Sequence, residues 1–313
     1  VTSCPVVLPI SAVIPTRHRT GPLRATLESL ARQSAQPAEV VIVDSSDDAS
    51  TRDLCQTGIA GLVSRVRWFA AQKRGAAVQR NEGVAFAEES NVVFCDDDIL
   101  FEPECCARVW AALESDPALG GVSATIINQM YSPPGRVTRV LYPLLAGRHL
   151  PSYAGRVLGP AVNLLPEDRP DLPDVVPVEW LNLGCTLYRR TALPDPPFPD
   201  FFTGYSFAED VTLSLTVGRK WKLANARTAR IFHDSQPGDH KRSPSRLAAM
   251  ELLNRHFVMT RVLRRQGPGD YMRFALWEAF QVAAAVPGGA HRVSAEVAGK
   301  FRGLLALARG VFQ

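Results

Sequence analysis

Three consecutive carboxylates, Asp96, Asp97 and Asp98, follow directly on the apolar run Val92, Val93, Phe94 and Cys95. Like charges crowded at a solvent-facing rim repel one another unless a cation neutralises them. The triplet therefore suits a hard divalent ion, Mg2+ or Mn2+, shared with substrate phosphates, and a solvated acidic turn is the bland alternative. A calcium loop counted from Asp96 needs glycine at its sixth place, where Phe101 stands, and Leu100 stands where a phosphatase aspartate motif has Thr or Val. Asp44 closes a second apolar run, where a carboxylate can accept the N–H groups of a pyrimidine or of guanine, or can cap the turn Ser46–Ser50. Arg74 and Arg80 lie on the segment leading to the triplet and are of the type that grips a diphosphate. Glu209 and Asp210 open a segment whose apolar positions include Val211, Leu215 and Val217. There they either complement a helix dipole or, for Asp210, aim a general base into a cleft. His233 follows Ile231-Phe232, where a neutral imidazole can complete an oxygen-rich metal site.

The elements that must position these groups alternate. Val6 to Ile14 reads as a buried strand stopped by Pro15, which cannot donate to a sheet ladder. Leu23, Leu27, Leu30 and Ala31 recur at helical spacing, Val40 to Val43 and Val66 to Phe69 are β-branched or aromatic runs, and Ala76 to Ala87 is helical again before Val92 to Cys95. This alternation predicts an α/β fold, a mostly parallel sheet with helices on both faces. In such a sheet ligands bind at the carboxyl ends of the strands, where Thr16, Asp44 and the triplet all fall. No GxGxxG follows the first strand and no GxxxxGK[ST] occurs, which disfavours a dinucleotide dehydrogenase or a P-loop enzyme. Nine prolines break the periodicity between Asn128 and Pro177 into a long irregular insertion. Regular structure resumes at Trp180 to Tyr188, with a helix from about Glu209 and two short strands around Trp221–Leu223 and Ala229–Phe232. Beyond Ser243 the chain reads as helical, interrupted at Gly267-Pro268-Gly269 and Pro287-Gly288-Gly289.

Taken in order, Val13-Ile14-Pro15-Thr16-Arg17, Leu27-Glu28-Ser29-Leu30 with Gln33, Val40 to Asp44, Gly75 with Gln79-Arg80-Asn81 and Gly83, Asp96 to Asp98, and Glu209-Asp210 with Trp221 and His233 resemble a family 2 glycosyltransferase of the GT-A fold over about residues 6 to 240. The resemblance implies inverting transfer of a hexose or deoxyhexose from a nucleotide diphosphate donor, with a divalent metal, to a glycan or lipid-linked acceptor in polysaccharide or glycoconjugate synthesis. It assigns Pro15, Thr16 and Arg17 to the nucleotide pocket, Asp44 to the base, Arg80 to the nucleotide and Asp96 to the ribose or sugar. Asp98 and His233 become metal ligands, Asp210 with Glu209 serves the acceptor hydroxyl, and Asp97 can stand in for either neighbour of the triplet. UDP or dTDP is favoured, with GDP allowed. Two departures bear on the base: Arg17 stands where many relatives have an aromatic residue, leaving a guanidinium plane to stack, and Ser45 stands where many have a second acid. The implied organisation is a catalytic domain, 1–240, with a nucleotide-sugar half over about 6–126 and an acceptor half over about 127–240, followed by a basic helical extension, 241–313. A sugar nucleotidyltransferase is the rival, but it should open with a glycine-rich loop, and Pro15 to Gly21 holds one glycine. A non-catalytic carbohydrate-binding relative is the other, against which Asp98 and Asp210 argue.

Composition agrees with an ordinary folded chain: 313 residues, 46% hydrophobic and 21% charged, with a net charge of +4 that excludes a generally basic nucleic-acid coat. The six cysteines form no CxxC pair and read as reduced thiols, and no signal peptide or 18-residue apolar run is present, so a cytoplasmic protein is expected. Residues 1–240 carry 23 basic and 27 acidic side chains, and residues 241–313 carry 12 and 4. With Phe274, Trp277, Phe301 and Leu304 among them, the last helices predict either peripheral attachment to an anionic inner membrane face or packing on the catalytic domain or in a homo-oligomer.

Overall fold

The computed structural model describes residues 4–202, 204, 206–236 and 243–310. Its first half alternates as expected: β1 (Val6–Thr16), α1 (Thr20–Ala31), β2 (Ala35–Asp44), α2 (Ser50–Thr57), β3 (Arg65–Ala70), α3 (Ala76–Phe86) and β4 (Asn91–Cys95). β1 to β4 pair in parallel in the order β3-β2-β1-β4. Pro15 does not end β1, which runs on to Thr16 opposite Asp44 of β2. Pairing with β4 stops at Val13, so the residue lacking an N–H lies beyond the doubly paired stretch, where it removes nothing from the second ladder.

After the triplet come β5 (Ile99–Phe101), α4 (Cys105–Glu114) and β6 (Leu119–Ile126). The insertion is built rather than loose: α5 (Thr138–Ala146), a hairpin of β7 (Val157–Leu158) and β8 (Val162–Asn163), and β9 (Val175–Pro177). Pro143 inside α5 conceals that helix from a proline-based reading. β10 (Cys185–Arg189) then enters antiparallel between β4 and β6. α6 (Glu209–Val217) leads into β11 (Lys222–His233), which pairs with β6 in parallel and with β5 and β9 antiparallel. The two short strands expected here are one strand, its register to β6 shifting between Ala226 and Arg230.

Two apolar layers flank the sheet. On one side Leu8, Ile10, Ala12 and Ile14 of β1 meet Leu23, Leu27 and Leu30, the buried stripe of α1. On the other, Val13, Val41 and Val43 meet Ala77 of α3 and Leu213 and Val217 of α6. Each of these leucines, isoleucines and valines is worth roughly 1.5–3 kcal/mol of burial. The close approach of α3 to β1 depends on Gly83, where a Cβ would lie 2.3 Å from Val13 Cγ1.

The last segment folds back on the rest as α7 (Pro244–Phe257), a π-helical turn (Val258–Val262), α8 (Pro268–Ala284) and α9 (Gly289–Ala308). Buried Glu278 of α8 receives Lys300 of α9 at 2.6 Å and Arg255 of α7 at 3.2 Å. Arg255 also donates to the carbonyl of Ala161, and Trp277 packs on Leu141, Leu145 and Tyr153 of the insertion. The packing alternative for the tail is thus realised: part of its positive charge is internal, although Met272, Val297, Phe301 and Leu304 remain exposed. None of the six cysteines is in a disulfide, and among the described residues no helix is long and apolar enough to cross a membrane.

Candidate active site

The sheet brings the expected residues to one rim. β1, β2 and β4 end at Thr16, Asp44 and the triplet, and the pairing of β11 with β5 sets His233 opposite Ile99. The rim is less wet than the sequence suggests. Asp97 and Asp98 are each only 5% exposed, and Asp96 alone is partly open. Burial of two adjacent carboxylates requires compensation, and a residue not singled out by the sequence supplies it. Arg19 donates to Asp97 Oδ1 at 3.0 Å and lies 3.3 Å from Asp98 Oδ2. Asp97 also accepts from the Thr16 hydroxyl at 2.6 Å, yet its burial pushes its carboxyl up to about 6. For Asp98 burial acts in the same direction but is outweighed by the hydrogen bond and charge of His233, the N–H of Gln236 and Arg19, so its carboxyl lies below the usual range.

The ligand atoms of Asp96, Asp98 and His233 lie within 4.8 Å of one another. Nε2 of His233 stands 3.1 Å from Asp98 Oδ1, about the spacing of neighbouring ligands around an ion with bonds of ~2.1 Å. Two carboxylates and one imidazole suit Mg2+ or Mn2+, with phosphate oxygens completing the shell. Asn128 and Gln129 hold the histidine: Asn128 brackets its backbone at 2.9 and 3.0 Å, and the Gln129 amide lies 3.0 Å from Nδ1. As it stands the amide nitrogen donates to Nδ1, which puts the ring proton on Nε2 facing Asp98; the flipped amide would accept from Nδ1–H and leave Nε2 for a metal. His240, a second histidine seven positions on that could take the same role, lies outside the described residues.

Across the cleft, Arg80 is 3% exposed and joins two acids: one nitrogen meets Asp96 Oδ1 at 2.6 Å and another is bonded to Glu209. Arg80 therefore locks the first turn of α6 to the triplet, and Arg74 has no such contact among the described residues. Buried Glu209 is pushed up to about 7, first by desolvation, against the pull of Arg80. Its Oε2 has no hydrogen-bond partner among the described residues. Asp210, next along, is partly exposed and accepts from the N–H of Val211. Desolvation, helped by the charge of Asp96, pushes its carboxyl up to about 6.

At the far end of the rim Asp44 takes the capping role, and both of its oxygens have partners inside the protein. One oxygen caps Ser46, through its N–H at 2.9 Å and its hydroxyl, and the other accepts from Trp68 Nε1 at 3.2 Å. Arg17 is exposed beside it and Pro15 is buried. Gln79, buried on α3, donates to the carbonyls of Thr16 and Val43 and accepts from Ser45, so it fixes the ends of β1 and β2 relative to each other. Gly75, at φ 139°, lets the chain turn into α3 beneath them.

Residues 11–156 match the family described as Glycosyl transferase family 2. An uncharacterised glycosyltransferase of Haemophilus influenzae is 33% identical over 108 residues, 34% of this chain and 35% of that protein, so the match spans about a third of the relative's length. A mannosyltransferase of Pyrobaculum calidifontis, solved with GDP-Man and Mn2+, has a TM-score of 0.54 at 17% identity, covering 97% of this chain and 81% of its own. GalNAc-T7, solved with UDP, GalNAc and Mn2+, has a TM-score of 0.59 at 14% identity over 96% of this chain and 57% of its own. At such identities the structures establish the GT-A fold.

Proposed function

We propose that this chain, whose residues 11–156 belong to glycosyltransferase family 2, transfers a sugar from a nucleotide diphosphate to a hydroxyl of a glycan or lipid-linked acceptor with inversion at the anomeric carbon. The observation that supports this reading is the Arg80 link, which ties Glu209, and with it Asp210 next along α6, to Asp96 beside Asp98 and His233. Asp96, Asp98 and His233 would hold Mg2+ or Mn2+, whose charge on the diphosphate offsets the negative charge that grows on the leaving group. Asp210, ionised above about pH 6, takes the acceptor proton as the hydroxyl oxygen attacks the face opposite the diphosphate. One displacement inverts the centre. A retaining glycosidase pair would instead need a carboxylate nucleophile and would have no use for a base-selecting rim.

Glu209 serves beside the base rather than as one. It pairs with Arg80 and its other oxygen is enclosed, so it holds Arg80 and the start of α6 in place next to the base. Asp44 with Trp68 frames the base, and the exposed Arg17 offers the plane on which it stacks. UDP or dTDP is the favoured donor nucleotide and GDP the alternative. In this reading residues to about 126 bind the donor and 127–240 the acceptor.

The test is thermal stabilisation by UDP, dTDP and GDP with and without Mn2+. A ligand at a hundred times its Kd adds about 2.7 kcal/mol, so the matching nucleotide should raise the melting temperature by several degrees only with the metal present. Shifts that are equal in chelator, or absent for all three, overturn the reading.

A further inference from the structure

We propose that a second site exists, for a phosphate monoester that carries an apolar chain, in the cavity beneath the insertion. The cavity measures about 790 Å³, within the roughly 300–1,000 Å³ that small-molecule sites occupy. It lies between the C-terminal end of α6, the start of β11, the insertion and the segment leading into α8. Lys222 at its edge begins β11 and His233 ends it, so by strand rise the two sites are on the order of 30 Å apart. The inference does not rest on the transfer chemistry.

The lining has two characters. Leu150, Trp221 and Leu263, each partly exposed, give it an apolar floor, and six cations stand around it: Arg148, Arg156, Arg219, Lys222, Arg265 and Arg273. Two are neutralised in place, Arg156 by Glu179 and Lys222 by Asp116, each at 3.0 Å. Arg148, Arg219 and Arg265 are not, among the described residues. Arg219 donates to the carbonyl of Val262 at 2.6 Å and Arg265 to that of Gly159 at 2.5 Å. Arg273 donates to the carbonyl of Leu144 at 3.1 Å and pairs with Asp270 at 3.5 Å. Arg148 is exposed and has no side-chain partner among the described residues. Backbone carbonyls orient a guanidinium without cancelling its charge, so these groups are held for an anion. They come from four different segments, and a tetrahedral dianion can engage several guanidinium forks at once where a carboxylate offers two oxygens. A bare phosphate would leave the apolar floor wet, whereas an attached chain covers it.

Dodecyl phosphate below its micellar concentration is the probe, titrated into the full chain by calorimetry and by tryptophan fluorescence. It should bind at least about ten times more tightly than inorganic phosphate or the uncharged dodecyl maltoside. Arg148→Glu should weaken it about tenfold or more, the loss of a charge-assisted bond, without lowering the melting temperature of the unliganded protein. Trp221→Phe should remove the fluorescence change and keep the heat. Binding no tighter than inorganic phosphate reduces the feature to anion adsorption, and binding no tighter than the maltoside reduces it to a greasy groove; either overturns the proposal. Undiminished binding by Arg148→Glu, or a fluorescence change that survives Trp221→Phe, places the ligand elsewhere and overturns it equally.

Discussion

Asp210→Asn should slow the enzyme and stabilise it, and the stabilisation should depend on pH. Folding raises this carboxyl from its ordinary 3.8 to about 6, chiefly by desolvation. The side chain therefore favours the fold while it is protonated, and that contribution is lost as the pH rises through about 6. The difference, taken at full burial, is roughly 3 kcal/mol; Asp210 keeps some contact with solvent, which reduces it to about 1–2 kcal/mol. Asparagine resembles the protonated form at every pH. The variant should melt higher than the wild type at pH 7.5, by roughly 2–6 °C for a chain of this class, with the gap closing toward pH 4. Turnover should fall by about 10² to 10⁴, the usual loss on removing a general base, while donor-induced stabilisation persists. Wild-type turnover should itself rise with pH through about 6. The assays are differential scanning fluorimetry across pH 4–8 and initial rates on the nucleotide sugar identified by thermal shift. A lower melting temperature at pH 7.5, or a gain that does not change with pH, refutes the account of Asp210 as a carboxylate kept ionised at a cost to the fold.

Asp98→Asn should abolish Mn2+-dependent stabilisation by nucleotide. Because the residue is buried against His233 and Arg19 it should also lower the melting temperature, and a normal metal response in this variant would rule out the ligand assignment. His233→Ala should move the Mn2+ activation curve to higher concentration, and Gln129→Ala should move it in the same direction by less, about tenfold at most; an unmoved curve for His233→Ala with a shifted one for His240→Ala reassigns the ligand. Gly83→Ala should cost about 1–3 kcal/mol in urea unfolding, since the new methyl meets Val13 at 2.3 Å, and an unchanged midpoint would show that α3 can slide. Flotation with anionic vesicles should detect the exposed face of α9, with Phe301 and Leu304 beside Arg302, if the tail attaches to a membrane, and no flotation at low salt rejects that role.

What the sequence showed well was order and rim. Apolar runs ending in Thr16, Asp44 and Asp96 place those residues at strand ends because a parallel sheet leaves its carboxyl ends unpaired by turns, and the structure puts all three on one edge. What it concealed were contacts between segments that share no periodicity. Arg19 reaches Asp97 across 78 positions from a loop, and Gln129 reaches His233 across 104. One signal for Arg19 was available: two buried adjacent carboxylates demand a cation, and Arg17, His18 and Arg19 are the cationic or titratable residues between β1 and α1. The antiparallel entry of β10 between β4 and β6 had no such signal, since an apolar strand looks the same in either direction.

Charge counting failed differently in the tail, and the reason is physical. A formal excess of eight positive charges over residues 241–313 treats each arginine and lysine as available to an outside surface. Lys300 and Arg255 are instead 7% and 4% exposed and converge on Glu278, which joins α7, α8 and α9. Arg265 and Arg273, both partly exposed, line the pocket beneath the insertion. A tail that pairs Lys300 and Arg255 with a buried acid has less charge to offer an anionic membrane than its composition suggests. The same segment forms a structural wall of the insertion, because Arg255 is bonded to Ala161 and Trp277 is seated in the insertion's core. Deleting residues 270–313 would therefore strip apolar cover from the insertion as well as any surface function. Point changes on the exposed face of α9, such as Phe301→Ser, test membrane attachment without that confusion: they should reduce flotation if the face binds lipid and leave the melting temperature where it was.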